Sequence, residues 1–190
     1  MRNQPKPQRG FSLLELLLAL AIGLGFAGLM LRAMALEGPQ GALLARQLRE
    51  RGLQKRTHAL LRLDLQEAQA LRLGAGDGGA CPLAGRQPLL QIATPQGPVT
   101  YTLGAAPSPI WRGRVLMRCG PAFGLDGIPS GGMAQNRVVL DALRQQGARI
   151  ERTPQGMLRL ILEQEFSRAG GGSQRLRSER LLAAGVLVTP

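Results

Sequence analysis

Residues 9 to 31 read RGFSLLELLLALAIGLGFAGLML, a basic residue and a glycine followed by a long apolar run. Only Ser12 and Glu15 interrupt the run, which covers residues 11 to 31. A helix of this length spans about 31 Å, which matches the hydrocarbon thickness of a bilayer. A secretory signal has a shorter apolar region closed by a small-residue cleavage site, and no such site precedes Arg32. The segment therefore predicts a retained membrane anchor.

The junction before the anchor is more specific than its hydropathy. A short leader, residues 1 to 10, is basic and holds no acidic residue, and it ends in Gly10 before Phe11 and, four residues on, Glu15. This arrangement resembles the leader of type IV prepilins. The resemblance implies that a prepilin peptidase cuts between Gly10 and Phe11 and methylates the new amine of Phe11. It also implies that Glu15 is the carboxylate used in filament assembly.

Glu15 is open to two interpretations from its residue type alone. A carboxylate near the start of a helix is stabilised by the helix dipole by roughly 0.3 to 1 kcal/mol, which suits an isolated subunit at the membrane interface. Buried between packed helices, the same charge needs a partner, because a charge at mid-bilayer costs roughly 2.5 to 3.5 kcal/mol. The amine of Phe11 in a neighbouring subunit is such a partner, and the adjoining cleavage motif favours this second interpretation.

Basic residues flank the anchor on both sides, so the positive-inside rule does not orient it. The prepilin resemblance implies a cytoplasmic N-terminus, an extracytoplasmic body and a location in the bacterial inner membrane before entry into a filament. It also implies four partners: the prepilin peptidase and methylase, other pilins or pseudopilins, the inner-membrane assembly platform and membrane lipid.

The chain has two cysteines, Cys81 and Cys119. In an oxidising compartment they would form one disulfide, which the chain-entropy estimate values at about 4 kcal/mol for a loop of this length. The alternative is a pair of buried thiols. Two cysteines and one histidine, His58, cannot supply a zinc site of the common kinds, so no metal and no cofactor is expected.

The charge balance is strongly basic. The 190 residues hold 24 Lys and Arg against 12 Asp and Glu, a net charge of +12. A DNA-binding surface is one interpretation, since phosphate contacts come from Lys and Arg, and a solvated Arg-rich surface is the other. Aromatic side chains are scarce, which disfavours a base-stacking platform. His58 is interpreted as a plain surface or boundary residue, and with no partner motif for it the chain is not expected to be an enzyme.

Four segments follow from the pattern: the leader 1–10, a transmembrane and assembly helix 11–36, an amphipathic second half of the same helix 37–73, and a β-rich head 74–190. Gly38 and Pro39 predict a kink or a short melted stretch. Apolar positions such as Leu44, Leu48 and Leu63 are assigned to the packed face of the second half, with Glu50 and Asp64 among those assigned to its polar face.

Strands are predicted at 88–94, 98–103, 110–118, 137–143, 157–165 and 175–188, the first two joined by a hairpin at Pro95–Gly97. The fold class is therefore α+β, a long N-terminal helix packed on a small antiparallel sheet. This order also resembles that of pilins and pseudopilins. The size of the head, and a strand at Tyr101 followed by a strand at Ile110, Trp111 and Arg112, resemble in particular the minor pilin W or type II secretion minor pseudopilin J type.

The functional hypothesis is a minor structural subunit of a type IV pilus or of a type II secretion pseudopilus. Two alternatives stay open. One is a minor pilin displayed at the filament tip that binds DNA or a surface. The other is a single-span membrane protein that never assembles.

Overall fold

The structure is a computed structural model that describes residues 12–74, 80–124, 128–130, 132–167, 171–183 and 188–189, without the side chains of 35–40 and 188–189. It divides into two compact units, Met1–Arg49 and Glu50–Pro190. Gly10 and Phe11 lie outside the described residues. The architecture is a long N-terminal helix followed by an antiparallel β-sheet head, as the sequence predicts.

Helix α1 runs from Leu13 to Gln66. It passes through Gly38 and Pro39 without interruption, so the expected melted stretch is wrong. The missing amide hydrogen of one proline removes a single backbone hydrogen bond, and the turns on either side continue the helix. The helix also ends earlier than predicted, because residues 70–73 form a strand.

The head is one eight-stranded sheet with the spatial order β7-β6-β5-β4-β3-β2-β1-β8. Its strands in chain order are β1 (Ala70–Leu73), β2 (Gln87–Thr94), β3 (Gly97–Ala105), β4 (Arg114–Gly120), β5 (Gln135–Arg152), β6 (Leu158–Ser167), β7 (Ser173–Leu182) and β8 (Val188–Thr189). Neighbouring strands are antiparallel except for the short parallel pair of β1 and β8.

The sheet is curled rather than flat. Strands β7 and β8 occupy its opposite edges, which in a flat sheet of eight strands would lie about 34 Å apart. Yet Leu182 ends β7 and Val188 begins β8, and the chain between them can reach no further than about 21 Å. The two edges are therefore brought towards each other, which gives the sheet a concave face.

The sequence places several strand boundaries incorrectly. The hairpin of β2 and β3 is confirmed, with Thr94 paired to Gly97. Strand β4 starts at Arg114 and not at Ile110, and the segment assigned to 175–188 is two strands, β7 and β8, on opposite edges. The four residues of β1 were expected to be helical, because ALRL continues a helical pattern as readily as it forms a strand.

The face of α1 that the head covers is polar as well as apolar. Its buried residues at helical spacing are Glu50, Gln54, Thr57, His58, Leu61, Asp64 and Leu65. Glu50 and Asp64 are therefore not on the solvent face, whereas Leu48 and Leu63 are at least half exposed. The assignment by hydrophobicity failed because the sheet supplies partners for the buried charges.

The core lies between this face and the concave side of the sheet. Leu61 and Leu65, one helical turn apart, join a cluster of buried side chains from the strands. The large strand side chains of this cluster that are fully buried are Leu71, Leu90, Ile92, Tyr101, Leu103, Leu116, Leu140, Leu158, Leu160 and Leu162.

Candidate assembly site

Glu15 lies in the first turn of α1, and it is the charged residue of the prepilin-like motif within the described part of the chain. The carbonyl oxygen of Ser12 accepts hydrogen bonds from the amides of Glu15 and Leu16 at 3.0 and 3.1 Å. These bonds close the first helical turn and place Glu15 within it, where the unpaired amides of a helix N-terminus favour a negative charge. Its side chain is exposed and available to another molecule.

The helix that follows Glu15 is apolar and uncovered. Leu13–Met34 is 22 residues long, has a mean hydropathy of 2.2 and is long and apolar enough to cross a membrane. None of it is buried, and large side chains such as Leu13, Leu24 and Leu31 are each more than 60% exposed. A helix that is apolar on all sides requires lipid or other helices around it.

The comparison with protein families bears on this same segment. The prokaryotic N-terminal methylation motif matches the chain at residues 5–30, a range that includes Gly10, Phe11 and Glu15. The match supports a type IV pilin-like protein. It implies processing by prepilin peptidase and assembly with other pilins, and it covers none of the head. No curated protein and no solved structure matches the chain.

In the head, a buried charge pair ties α1 to the sheet. Asp64 on α1 accepts hydrogen bonds from Arg118 Nε and Nη2 on β4 at 2.8 and 2.7 Å. Tyr101 on β3 donates its hydroxyl to the same carboxylate at 2.5 Å. Burial first, and then the charge of Asp64, raises the pKa of Tyr101 well above its ordinary value. Tyr101 therefore stays protonated and serves as a fixed donor.

Arg118 has further partners that complete the pair. Its Nη1 donates to the carbonyl oxygen of Pro121 at 2.9 Å, and its guanidinium carbon lies 4.8 Å from the ring centroid of Phe123. Both charges are almost fully buried, and a buried charge is costly unless its hydrogen bonds are made. The contacts with Pro121 and Phe123 supply the partners that Asp64 leaves to be found for Arg118. Asp64, Tyr101 and Arg118 come from α1, β3 and β4. Their hydrogen bonds therefore fix the position of the helix along the sheet.

A second network holds the first buried turn of α1 in the head. Arg112 Nη2 donates to Glu50 at 3.0 Å, and its Nε donates to Asp141 at 3.3 Å. Gln164 on β6 donates to the carbonyl oxygen of Asp141 at 2.9 Å and accepts from Gln54 at 2.8 Å. The network therefore links α1 to β5 at Asp141, to β6 at Gln164 and to Arg112 in the segment before β4.

Backbone geometry places Asp141 at this position. Ala142 has a φ of 56°, a left-handed conformation that non-glycine residues seldom adopt. The irregular pairing of β4 and β5 falls at the same point, between Arg114 and Leu116. The bulge turns Asp141 towards Arg112 Nε and its backbone amide, the latter at 3.2 Å.

The disulfide predicted from the cysteine pair is confirmed. Cys81 and Cys119 are bonded, with their Cα atoms 6.0 Å apart. Cys119 lies on β4 and Cys81 precedes β2, so the bridge ties the connection between β1 and β2 to the middle of the sheet.

The sequence suggested that His58 is a plain surface or boundary residue, which is wrong, because 92% of it is buried. Its Nε2 lies 3.0 Å from the Ser178 hydroxyl on β7. Burial, and then the positive charge of Arg180, lowers the pKa of His58 to about 4. The imidazole is therefore neutral at neutral pH. Among the described residues, no three His, Cys, Asp or Glu side chains are grouped to hold a metal ion.

The buried polar face of α1 is the feature that sequence reasoning missed. Glu50, Gln54, Thr57, Leu61 and Asp64 recur at alternating four- and three-residue spacings, which is the spacing of one helix face. That regular spacing was the available signal. Polar residues on a helix usually face solvent, so the spacing alone does not indicate burial. Their partners in the sheet are distant along the chain and cannot be recognised from the sequence.

Proposed function

We propose that the chain is a minor structural subunit of a type IV pilus or a type II secretion pseudopilus. Prepilin peptidase removes residues 1–10, and the apolar part of α1 holds the subunit in the membrane until it enters the filament through the same helix. The observation that carries the proposal is the uncovered apolar segment Leu13–Met34 with Glu15 in its first turn, most of which lies within the methylation motif matched at residues 5–30. The role is structural, with catalysis left to the partners.

The proposed topology is a single pass through the bacterial inner membrane, with the N-terminus in the cytoplasm and the head outside. The bond between Cys81 and Cys119 supports a head on the oxidising side, because disulfides persist there and are rare in the cytosol. The assembly platform and the other pilins or pseudopilins are the proposed partners.

The finer proposal, a W-type minor pilin or J-type minor pseudopilin, rests on the size of the head. The strand pattern that also suggested it is weaker than expected, because Ile110 and Trp111 precede β4 and are not part of it. The proposal of a minor subunit does not depend on that strand.

Processing is the direct test. Intact-mass measurement of the full chain from cells with prepilin peptidase should show loss of residues 1–10 and one added methyl group on Phe11. Cells without the peptidase should hold the full-length chain. Gly10→Val should block cleavage, because the motif ends the leader in glycine, whereas the matched leader variant Gln8→Ala should be processed. An intact leader in peptidase-positive cells would refute the proposal.

A further inference from the structure

A groove runs between α1 and the edge strand β7, and we call it the basic groove. It consists of two adjoining depressions of about 340 and 700 Å³ that share His58 and Arg180. Its described lining contains no Asp or Glu and five permanent cations: Arg51, Lys55, Arg62, Arg177 and Arg180.

The cations of the groove are largely uncompensated. Arg177 has carboxylate partners, Glu163 at 3.6 Å and Glu179 at 3.5 Å. The other four cations have no carboxylate within 4.0 Å among the described residues and are exposed. On α1 the cations recur four and seven residues apart, so they line one face of the helix over about 16 Å.

The other wall of the groove is an open strand edge. The sheet order places no described strand beyond the ten residues of β7. The amide of Thr153 donates to the carbonyl oxygen of Met157 at 2.8 Å, so Met157 and every second residue after it in β6 turn their backbone groups towards β5, while Leu158, Leu160 and Leu162 turn theirs towards β7. Their partners in β7, Leu182, Arg180 and Ser178, therefore turn their backbone groups towards β6, so Arg177 and Leu181, which line the groove, present their amides and carbonyls at the open edge.

His58 adds a buried polar atom to the wall of the groove that α1 forms. Its Nε2 is taken by Ser178, while its Nδ1 is buried and has no hydrogen-bond partner among the described residues. Since His58 lines both depressions, its Nδ1 is an unpaired hydrogen-bonding group buried next to the groove.

We propose that the basic groove binds an extended acidic peptide segment of a partner protein, added along β7 as a further strand. The open backbone of β7 pairs with the main chain of the peptide. The carboxylates of the peptide lie against Arg51, Lys55, Arg62 and Arg180. Strand addition to an exposed edge is a recurring mode of peptide recognition. This inference goes beyond the structural role and does not depend on it.

Three observations favour a peptide over a nucleic acid or a second copy of the chain. A strand edge offers alternating donors and acceptors that a phosphate backbone cannot match, and no aromatic side chain lines the groove for base stacking. A second copy offers no free segment of this kind, because its only acidic residues at alternate positions, Glu163 and Glu165, lie in β6 inside the sheet.

The test measures fluorescence anisotropy of a labelled peptide of alternating Thr and Glu, as long as β7, with the full chain in zwitterionic detergent. The same peptide methylated at alternate backbone nitrogens keeps its charge but cannot pair along one edge. We expect the first peptide to bind and the methylated one to bind at least about tenfold more weakly, since main-chain bonds supply the affinity. Equal binding of both peptides would overturn the proposal.

Charge-reversal variants locate the site. Lys55→Glu and Arg180→Glu should each weaken peptide binding about tenfold, because each replaces an attraction with a repulsion. Arg56→Glu makes the same charge change on the neighbouring helix position outside the groove and should change binding less than about twofold. Equal weakening by Arg56→Glu, tighter binding of a duplex DNA of similar length, or no binding of the peptide would each overturn the proposal.

Discussion

At the scale of single residues, the head is governed by polar side chains that burial has placed out of reach of water. His58 is the only histidine of the chain, and burial and Arg180 lower its pKa to about 4. The unfolded chain takes up a proton near pH 6.5, whereas the folded chain does not. The free energy of unfolding should therefore decrease as the pH falls from about 6.5 to about 4, by about 3 kcal/mol in total.

Urea unfolding of the full chain in detergent at pH 7.0 and pH 4.5 measures this loss. His58→Gln keeps an amide close to Ser178 but cannot titrate, so its unfolding free energy should change little between the two pH values. A single imidazole resonance that titrates near pH 6.5 in the folded chain would contradict the lowered pKa.

The pair of Asp64 and Arg118 gives a second prediction at this scale. Arg118→Met leaves Asp64 buried with only the Tyr101 hydroxyl as partner, and the loss should be about 3 to 5 kcal/mol of unfolding free energy. In the double variant Asp64→Asn with Arg118→Met, both charges are gone and the amide oxygen still accepts from Tyr101. The double variant should therefore be more stable than Arg118→Met alone.

Arg149→Met provides the matched control for that measurement. Arg149 lies 3.6 Å from Glu163 with a side chain 45% exposed, so its pair is solvated. Its replacement should cost less than about 1 kcal/mol. Equal losses of unfolding free energy for Arg118→Met and Arg149→Met would contradict the prediction that the buried pair is more important for stability than the solvated one.

At the scale of elements, the bridge between Cys81 and Cys119 restrains the long connection from β1 to β2. The loop it closes has a sequence separation of 38 residues. Replacing both cysteines by serine should lower the unfolding free energy by about 4 kcal/mol on the chain-entropy estimate. The measurement is urea unfolding with and without reductant: reductant should destabilise the native chain and leave the double serine variant unchanged. No difference between the two chains without reductant would contradict the prediction.

The elements also show which parts of the fold are readable from sequence. The hairpin at Thr94 and Gly97 is predictable because its turn residues are local. Strand β1 is not, since its four residues carry no period that separates a strand from a helix. The Asp64 and Arg118 pair and the partner of His58 are hidden for a different reason: each joins residues more than 50 positions apart, and the pairing exists only once the sheet has formed.

At the same scale, the candidate assembly segment was almost wholly predictable. The motif at Gly10, Phe11 and Glu15 and the apolar run are both local patterns, and the match at residues 5–30 agrees with them. The basic groove was not predictable, because its cations come from one helix face and from a strand that lies far along the chain. The net positive charge is visible in the sequence, but the clustering of these cations in the basic groove is visible only in the structure.

At the scale of the whole molecule, the two units have opposite solvent preferences. The head pairs the buried carboxylates of Asp64 and Asp141 internally, with arginine side chains. The segment Leu13–Met34 satisfies nothing internally except its backbone, and all its side chains are exposed. This segment therefore requires lipid or other helices around it, and we expect Glu15 to be needed when other helices surround it and not when lipid does.

Glu15→Leu tests this distinction in cells. Membrane insertion should be equal or easier, because the cost of placing a carboxylate in the bilayer disappears. Cleavage should persist, since Gly10 and Phe11 are unchanged. Entry into filaments should fall by at least about tenfold, because the amine of Phe11 in a neighbouring subunit would be buried without its counter-charge, at a cost of several kcal/mol.

The measurement is the ratio of sheared-filament to membrane-bound protein for the wild type and two variants. Glu15→Asp keeps the carboxylate on a shorter side chain and should retain most of the wild-type ratio, which separates the effect of charge from that of any substitution at this position. With normal membrane levels, an unchanged ratio for Glu15→Leu would contradict the assembly role of Glu15. A ratio that falls equally for both variants would contradict the role of its charge, because helix packing and not the missing counter-charge would then limit assembly.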